Sequence, residues 1–456
     1  MIQTVIIAAP ALVALVVCIL RGPKRAFLDV YLPTLLLLPQ SFNWPISGQL
    51  PFADAAMVPI ALPLLIRPQR PWRWSSLDLL VVVYLVITVI SEGTNNGYKL
   101  GQNLALQQFC RIFMLHFSVK QLIQERQFAI DFAKRIVVLI SIAAIISVYE
   151  FRMGSDLFLL PFLGFFPGTQ IPTVFRAGFM RVQGPYGHAI TAGFVMVFGF
   201  RIARWLDWSA LWTERMRFLP IGRVRFCELA IITGSFMTLS VGPWVAAAGG
   251  ALIVSIFRAS NRKRAVVVLL FITLIVGPSV YSAFEAYVSV DRSVAETGLQ
   301  EDSAYRNELM PLYVPIVEQR PALGWGRNTW PVLNGMTSID NAFLLMALTF
   351  GLYALGVFVV ILLWPPIWLC RLGLRLPSDH PAALAAYTLT AIFILTIIVL
   401  GTGCLGDENA RFLFLITGWS AGLLEMAPVE LEAPQTRKTS PRQGRPFSFA
   451  KSRVMA

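Results

Sequence analysis

Arg176, Arg181, His188, Arg306 and Asp340 are the residues of this chain whose types and settings best suit chemistry. They fall in three short polar stretches. The first is Arg176-Ala-Gly-Phe-Met-Arg181-Val-Gln-Gly-Pro-Tyr-Gly-His188. The second is Asp302-Ser-Ala-Tyr-Arg306-Asn-Glu308, with Pro321-Ala-Leu-Gly-Trp-Gly-Arg327 behind it. The third is Ser338-Ile-Asp340-Asn341. A guanidinium is permanently charged and planar, and its fork of donors fits phosphate oxygens. Several of them beside a carboxylate suit a diphosphate leaving group and a base that takes a proton from an attacking hydroxyl. Each residue also has a plainer use. Asp302 and Arg306 are four apart and would pair along a helix. Asp340 would cap the helix that follows it, with Asn341 capping or packing beside it. His188 opens a helix, where a lone histidine is more often structural, and it is the alternative base.

These stretches are islands in an apolar chain. Of 456 residues, 56% are hydrophobic and 14% charged, against about 25% charged in a soluble protein. Mean hydropathy is +0.66. A membrane helix needs about 20 mostly apolar residues, and such runs recur along the whole chain. They are solidly apolar, which excludes the short alternating strands of a membrane barrel. The formal charge of +13 does not point to nucleic acid, because the basic residues sit in short stretches between apolar blocks, as membrane flanks do. The five cysteines (Cys18, Cys110, Cys227, Cys370, Cys404) form no CxxC or Cys/His cluster. Neither a disulfide framework, a metal site nor a cofactor is therefore expected. Gly-Trp-Gly at 324–326 reads as a turn, since no strand and phosphate-binding helix frame it. Met1–Leu20 lacks a basic leading region and is read as a first span rather than a cleavable leader.

The expected fold is an all-α, polytopic transmembrane bundle of about 12–13 spans, with a large, partly helical loop on the outer side. The spans are 1–20, 26–41, 52–66, 77–91, 99–120, 128–149, 188–205, 226–241, 244–257, 265–284, 341–370, 381–402 and 411–426. The eighth and ninth form a hairpin expected to turn at Gly242-Pro243. Placing residues 21–25 in the cytoplasm and alternating puts 67–74, 120–126, 201–225, 258–264 and 371–375 there too, as the positive-inside rule asks. The long loops 150–187 and 285–340 then both fall outside, and with them all three polar stretches. Domain organisation is thus one membrane domain, 1–426, and a Pro-, Ser- and Arg-rich tail, 427–456, of disordered composition. Arg201–Arg225 and Arg258–Arg264 read as topology determinants against anionic lipid. Asn103, Gln107 and Arg111 lie four apart on one face of the fifth span. An ionisable residue at that depth is a functional hypothesis by default, and such a stripe would suit a transporter; a satisfied polar contact between helices is the equal alternative. No internal repeat is visible.

Arg181-x-x-Gly184 leading into a helix, Arg306 ahead of Pro321-x-x-Gly324-x-Gly326, then Asp340-Asn341-x-x-Leu344 and Gly351-Leu352 resemble the O-antigen ligase and polymerase family, over roughly residues 130–425. The resemblance implies a bacterial inner-membrane glycosyltransferase with its active face in the periplasm. It implies undecaprenyl-diphosphate-linked glycan as substrate, with membrane lipids and polysaccharide assembly or chain-length-control proteins as further partners. Arg181 and Arg306 would bind the diphosphate. Ligases of the family carry a His where this chain has Asp340. Polymerisation of exopolysaccharide or O-antigen repeats therefore ranks above ligation to lipid A-core, with a glycan flippase and a non-catalytic scaffold as the rivals. The family's Ser-Arg-Gly turn reads Ser240-Val241-Gly242 here, so one cation is missing, and Arg176 is the candidate to replace it. Single displacement, inverting and metal-independent, is the expected reaction.

Overall fold

In a bilayer every backbone N–H and C=O must be satisfied internally, so apolar runs become helices. A computed structural model describes residues 2–42, 50–166, 174–176, 178–217, 220–327, 329–336, 338–403 and 406–432, without the side chains of 407, 408 and 427–432. The expected turn at Asn43-Trp44-Pro45, Cys404, and the tail from 433 lie outside the described residues. Of the described residues, 77% are helical.

In order, α1 (Ile2–Arg21) is followed by α2 (Pro23–Ala26), a π turn (Phe27–Tyr31) and α3 (Leu32–Leu37), which form one unbroken run. Next come α4 (Phe52–Ile66) and α5 (Ser76–Asn96). Then α6 (Tyr98–Gln108) continues through a second π turn (Phe109–Phe113) into α7 (Met114–Ile123). α8 (Arg126–Met153) leads into the first long loop. This loop holds the short α9 (Leu160–Leu163) and a two-residue hairpin, β1 (Phe175–Arg176) with β2 (Phe179–Met180). α10 (Ala189–Trp208), α11 (Arg223–Met237), α12 (Val241–Arg258) and α13 (Arg262–Val288) follow. α14 (Gly298–Gln319) makes the second long loop partly helical, as expected. α15 (Ala342–Arg375), α16 (Pro381–Gly401) and α17 (Asp407–Glu432) complete the chain. Each of the thirteen expected spans falls on one of these helices or unbroken runs. Seven of the described helices are long and apolar enough to cross a membrane unaided by that measure alone; α4 is apolar but shorter.

Local sequence fixes the helix starts. Ser75 and Asp78 form a reciprocal capping box on α5, Thr297 caps α14 and Asn261 caps α13. The α11–α12 turn is at Thr238–Ser240, with Leu239 at φ 47°, rather than at the expected Gly242-Pro243. Pro243 instead lies in the first turn of α12, where its missing N–H leaves no bond unmade.

The centre of the bundle is α10 and α16, each 83% buried over its apolar window. α17 packs along α7, with Gly418 and Gly422 letting its backbone close on the carbonyls of His116 and Lys120. α13 is the opposite case. None of its apolar window is buried, and it touches chiefly α12 and α14. A helix apolar on every side with no protein cover is a lipid-facing span.

Two buried charge clusters tie the helices together. Asp54 on α4 accepts from Arg111 Nε at 3.0 Å and from Arg411 Nε at 2.6 Å. Asp78 accepts from His116 Nε2 at 2.9 Å and Lys120 Nζ at 2.5 Å, and Lys120 also reaches Glu425 at 2.6 Å. Arg111 is thus a buried partner of Asp54, a polar contact between helices. The π turn at Phe109–Phe113 carries Arg111 into this cluster, while Gln107 one turn earlier accepts from Arg327.

Candidate functional site

The two long loops meet at one end of the bundle, over a cavity of ≈ 530 Å³. Arg176, Arg181, Asp302 and Arg306 line it, together with the turn residue Ser240 and Val241 at the start of α12. Val245, Phe284, Val288 and Ile398 from α12, α13 and α16 make an apolar flank below them. Each arginine is held from a different direction.

Arg181 is buried, at 7% exposure. Its Nε donates to the Thr238 carbonyl at 3.2 Å and its Nη2 to Ser240 Oγ at 2.8 Å. Burial, and the charges of Arg176 and Arg306, lower its pKa to about 10 against the opposing pull of Asp302, so it remains a cation at neutral pH. The loop that carries it is fixed by Glu150. That fully buried carboxylate accepts from the backbone of Gln183 at 2.7 Å and Gly184 at 3.0 Å. Sequence reasoning missed Glu150. Its only sequence signal is an acid at the last turn of an apolar run.

Arg176 enters from the β1–β2 hairpin. Its Nη1 donates to the Leu239 carbonyl at 2.8 Å and its Nη2 to Asp302 Oδ2 at 2.6 Å. Arg176 thus brings a guanidinium from the neighbouring loop to the α11–α12 turn. The expected Asp302–Arg306 pair along α14 is replaced by this cross-loop pair, because a tertiary partner at hydrogen-bonding distance outcompetes a neighbour one turn away.

Arg306 projects from α14, with Nη2 3.9 Å from Asp340 Oδ2. Asp340 also accepts from Ser338 Oγ at 2.9 Å. It does not cap α15. Asn341 does, its Oδ1 accepting from the backbone of Phe343 at 3.0 Å and Leu344 at 3.1 Å. This corrects the plainer expectation for Asp340, whose carboxylate is left to face Arg306. Tyr305 ties the segment down, its hydroxyl donating to the Ser338 carbonyl and accepting from Ser338 N.

His188 caps α10, Nδ1 accepting from Ile190 N at 3.2 Å. The residue is exposed overall. Crowding of the ring by protein, then the Arg181 charge, pushes its pKa below the ordinary imidazole value. Asp340 pulls the other way and Arg306 adds to the fall. With the Nδ1 lone pair engaged in the cap, the neutral ring carries its proton on Nε2. It is then arranged to donate rather than to accept.

The relation of α14 to α15 is set by the Pro321-x-x-Gly324-x-Gly326 turn, which plugs a break in α15 at Gly351 (φ 83°). Trp325 N and Gly326 N donate to the Leu348 and Thr349 carbonyls, both at 2.8 Å, and Leu352 N donates to the Pro321 carbonyl at 2.7 Å. A side chain at Gly324 would stand 2.6 Å from the Leu348 carbonyl oxygen, and one at Gly351 would strike the Ala322 carbonyl. Glu92 on α5 secures the far end, accepting from Arg327 N at 2.9 Å and Nε at 3.2 Å. Among the described residues no group of three or more His, Cys, Asp or Glu side chains is arranged to hold a metal ion.

Fold and site together define a multi-pass helical membrane protein with an arginine-lined cavity where its loops converge. Residues 227–359 match the family model described as O-antigen ligase, which supports a likeness to the O-antigen ligase and polymerase family. Members of that family are glycosyltransferase-like enzymes that act on lipid-linked glycans. The match takes in Ser240, Asp302, Arg306 and Asp340 and leaves Arg176, Arg181 and His188 outside it. No curated protein matches the chain.

Proposed function

We propose that the cavity binds the diphosphate of a polyprenyl-linked glycan and that the protein polymerises oligosaccharide repeats from that donor. The observation that carries this reading is the convergence of Arg176, Arg181 and Arg306, from two separate loops, on one cavity with an apolar flank. A lipid diphosphate has the same division, charge at one end and hydrocarbon at the other. Net positive charge preorganised where the leaving group develops its own charge is the largest lever such a reaction offers.

In the proposed step a hydroxyl of the next lipid-linked repeat attacks the anomeric carbon from the side opposite the diphosphate. The new bond joins acceptor oxygen to anomeric carbon. The bond from that carbon to the phosphate oxygen breaks, and its electron pair leaves with the diphosphate. Asp340 takes the hydroxyl proton, and the configuration inverts. Protonation removes the carboxylate charge beside Arg306 as the diphosphate gains its charge, so Arg306 turns from one anion to the other within the step. The arginines supply the charge that a metal ion supplies elsewhere, and His188, protonated at Nε2, serves as a donor to the substrate. The active face is the periplasmic side of a bacterial inner membrane, where the positive-inside pattern puts both long loops.

The test is a deletion strain complemented with the wild-type gene and probed for glycan length. Loss of a polymerase leaves single repeats on the lipid carrier. A ligase defect would leave long chains that never reach lipid A. A flippase defect would hold repeats on the cytoplasmic side, and either result overturns the polymerase reading.

A further inference from the structure

Among the described residues lining the arginine cavity, Asp302 is the one carboxylate, and it is out of place in a site for an anion. It does not pair along its own helix. It reaches across to the other long loop and takes Arg176 Nη2 at 2.6 Å, while Nη1 of the same guanidinium stays on the Leu239 carbonyl. Arg181 and Arg306 line the same space, but Arg181 is bonded to the Thr238 carbonyl and the Ser240 hydroxyl rather than to a carboxylate, and Arg306 faces Asp340. Arg176 is thus the cation whose anion contact can be exchanged without releasing its anchor. Asp302 is about half exposed and its partner less so, so the pair lies at the mouth of the cavity rather than in its floor.

We propose that Asp302 is a release latch: it holds Arg176 in the empty site, yields it to the arriving diphosphate, and reclaims it so that the diphosphate product leaves. This rests on the diphosphate-site reading above. The physical need is plain. A donor diphosphate, esterified at both ends, carries two charges. The leaving group is free at one end, and a terminal phosphate with its second pKa near 6 adds a third at neutral pH. A site of unopposed arginines would therefore hold its product more tightly than its substrate. A carboxylate that competes for one arginine corrects this, because it offers the same guanidinium an equivalent charged hydrogen bond. Asp302 is accordingly a positioning residue for Arg176 and does not touch the reacting carbon.

The test is inorganic pyrophosphate binding to the purified full-length protein, measured by calorimetry, with thermal unfolding as a control. Asp302→Asn keeps the shape of the side chain and removes its charge. The latch predicts tighter pyrophosphate binding, by about fivefold or more for one like charge removed at a half-exposed site. In the Arg176→Ala background most of that gain disappears, since the two changes act through one contact. Binding that is unchanged or weaker in Asp302→Asn, with a lowered melting temperature, means that the pair only ties the loops and overturns the latch. A gain that persists undiminished without Arg176 also overturns it. Arg181→Ala separates the two levels of the proposal: if wild type fails to bind pyrophosphate, or binds it no better than Arg181→Ala, the diphosphate site itself is wrong.

Discussion

Arg306 Nη2 lies 3.9 Å from Asp340 Oδ2, and the two residues reach each other from within and from the exit of one loop. Neither is held there by helix capping. Arg306 is fixed by α14, Asp340 by the Tyr305–Ser338 contact and by Asn341 taking over the cap of α15. The division of labour between Asp340 and Asn341 separates chemistry from stability at adjacent positions.

Substitution should split along that line. Asp340→Asn is expected to cut turnover by about 10²–10⁴-fold, the usual weight of a general base, with the melting temperature nearly unchanged. Asn341→Ala is expected to cost about 0.5–2 kcal/mol of stability, as loss of a cap does, with a much smaller loss of turnover in the protein that remains folded. Steady-state rates and thermal unfolding of the two variants check this directly.

Arginine geometry matters as well as charge. Arg306→Lys keeps the charge but loses the planar fork, so donor binding should weaken by at least about tenfold. Arg111→Lys should leave donor binding intact and lower stability instead, because Arg111 pairs with the buried Asp54. Affinity for a lipid diphosphate and the melting temperature, measured on both variants, separate a site cation from a structural one.

The plugged break in α15 predicts a long-range effect. Gly351→Ala forces a side chain into a left-handed conformation and against the Ala322 carbonyl. Strain of this kind costs about 1–3 kcal/mol. The damage should reach Arg306 and Asp340, since the plug joins the helices that carry them. The expected result is a lowered melting temperature with turnover reduced in the surviving folded fraction. Leu352→Ala, at the next position and exposed, should do neither.

His188 gives a pH signature. Its folded pKa lies below the ordinary 6.5, so the unfolded chain takes up a proton that the folded one resists. Stability should therefore fall as pH drops through about 6.5 and level off below the folded value. Protonation at Nδ1 also removes the acceptor that caps α10. His188→Asn retains a capping acceptor that does not titrate. The melting-temperature difference between wild type and this variant should thus shift in the variant's favour on the acid side.

Much of the fold was legible because membrane burial writes itself into local composition. The spans, the helical second loop and the position of Asp340 just ahead of α15 all follow from runs, caps and motifs within a few residues. What was not legible depends on distant partners. Asp54 meets Arg411 across 357 positions. Glu92 accepts from Arg327, and Gly351 breaks its helix only because the Pro321–Gly326 turn fills the gap. Asp302 was misread for the same reason. Spacing on α14 favours Arg306, and nothing local reveals that a hairpin from the other loop delivers Arg176 within 2.6 Å.

The most direct measurement is the length profile of carrier-linked glycan in a deletion strain expressing Asp340→Asn or Arg306→Ala at wild-type protein levels. Single repeats accumulating on the polyprenyl carrier, with long chains lost, is the result expected if the arginine cavity and Asp340 perform polymerisation. Long chains of wild-type length in both variants would contradict it.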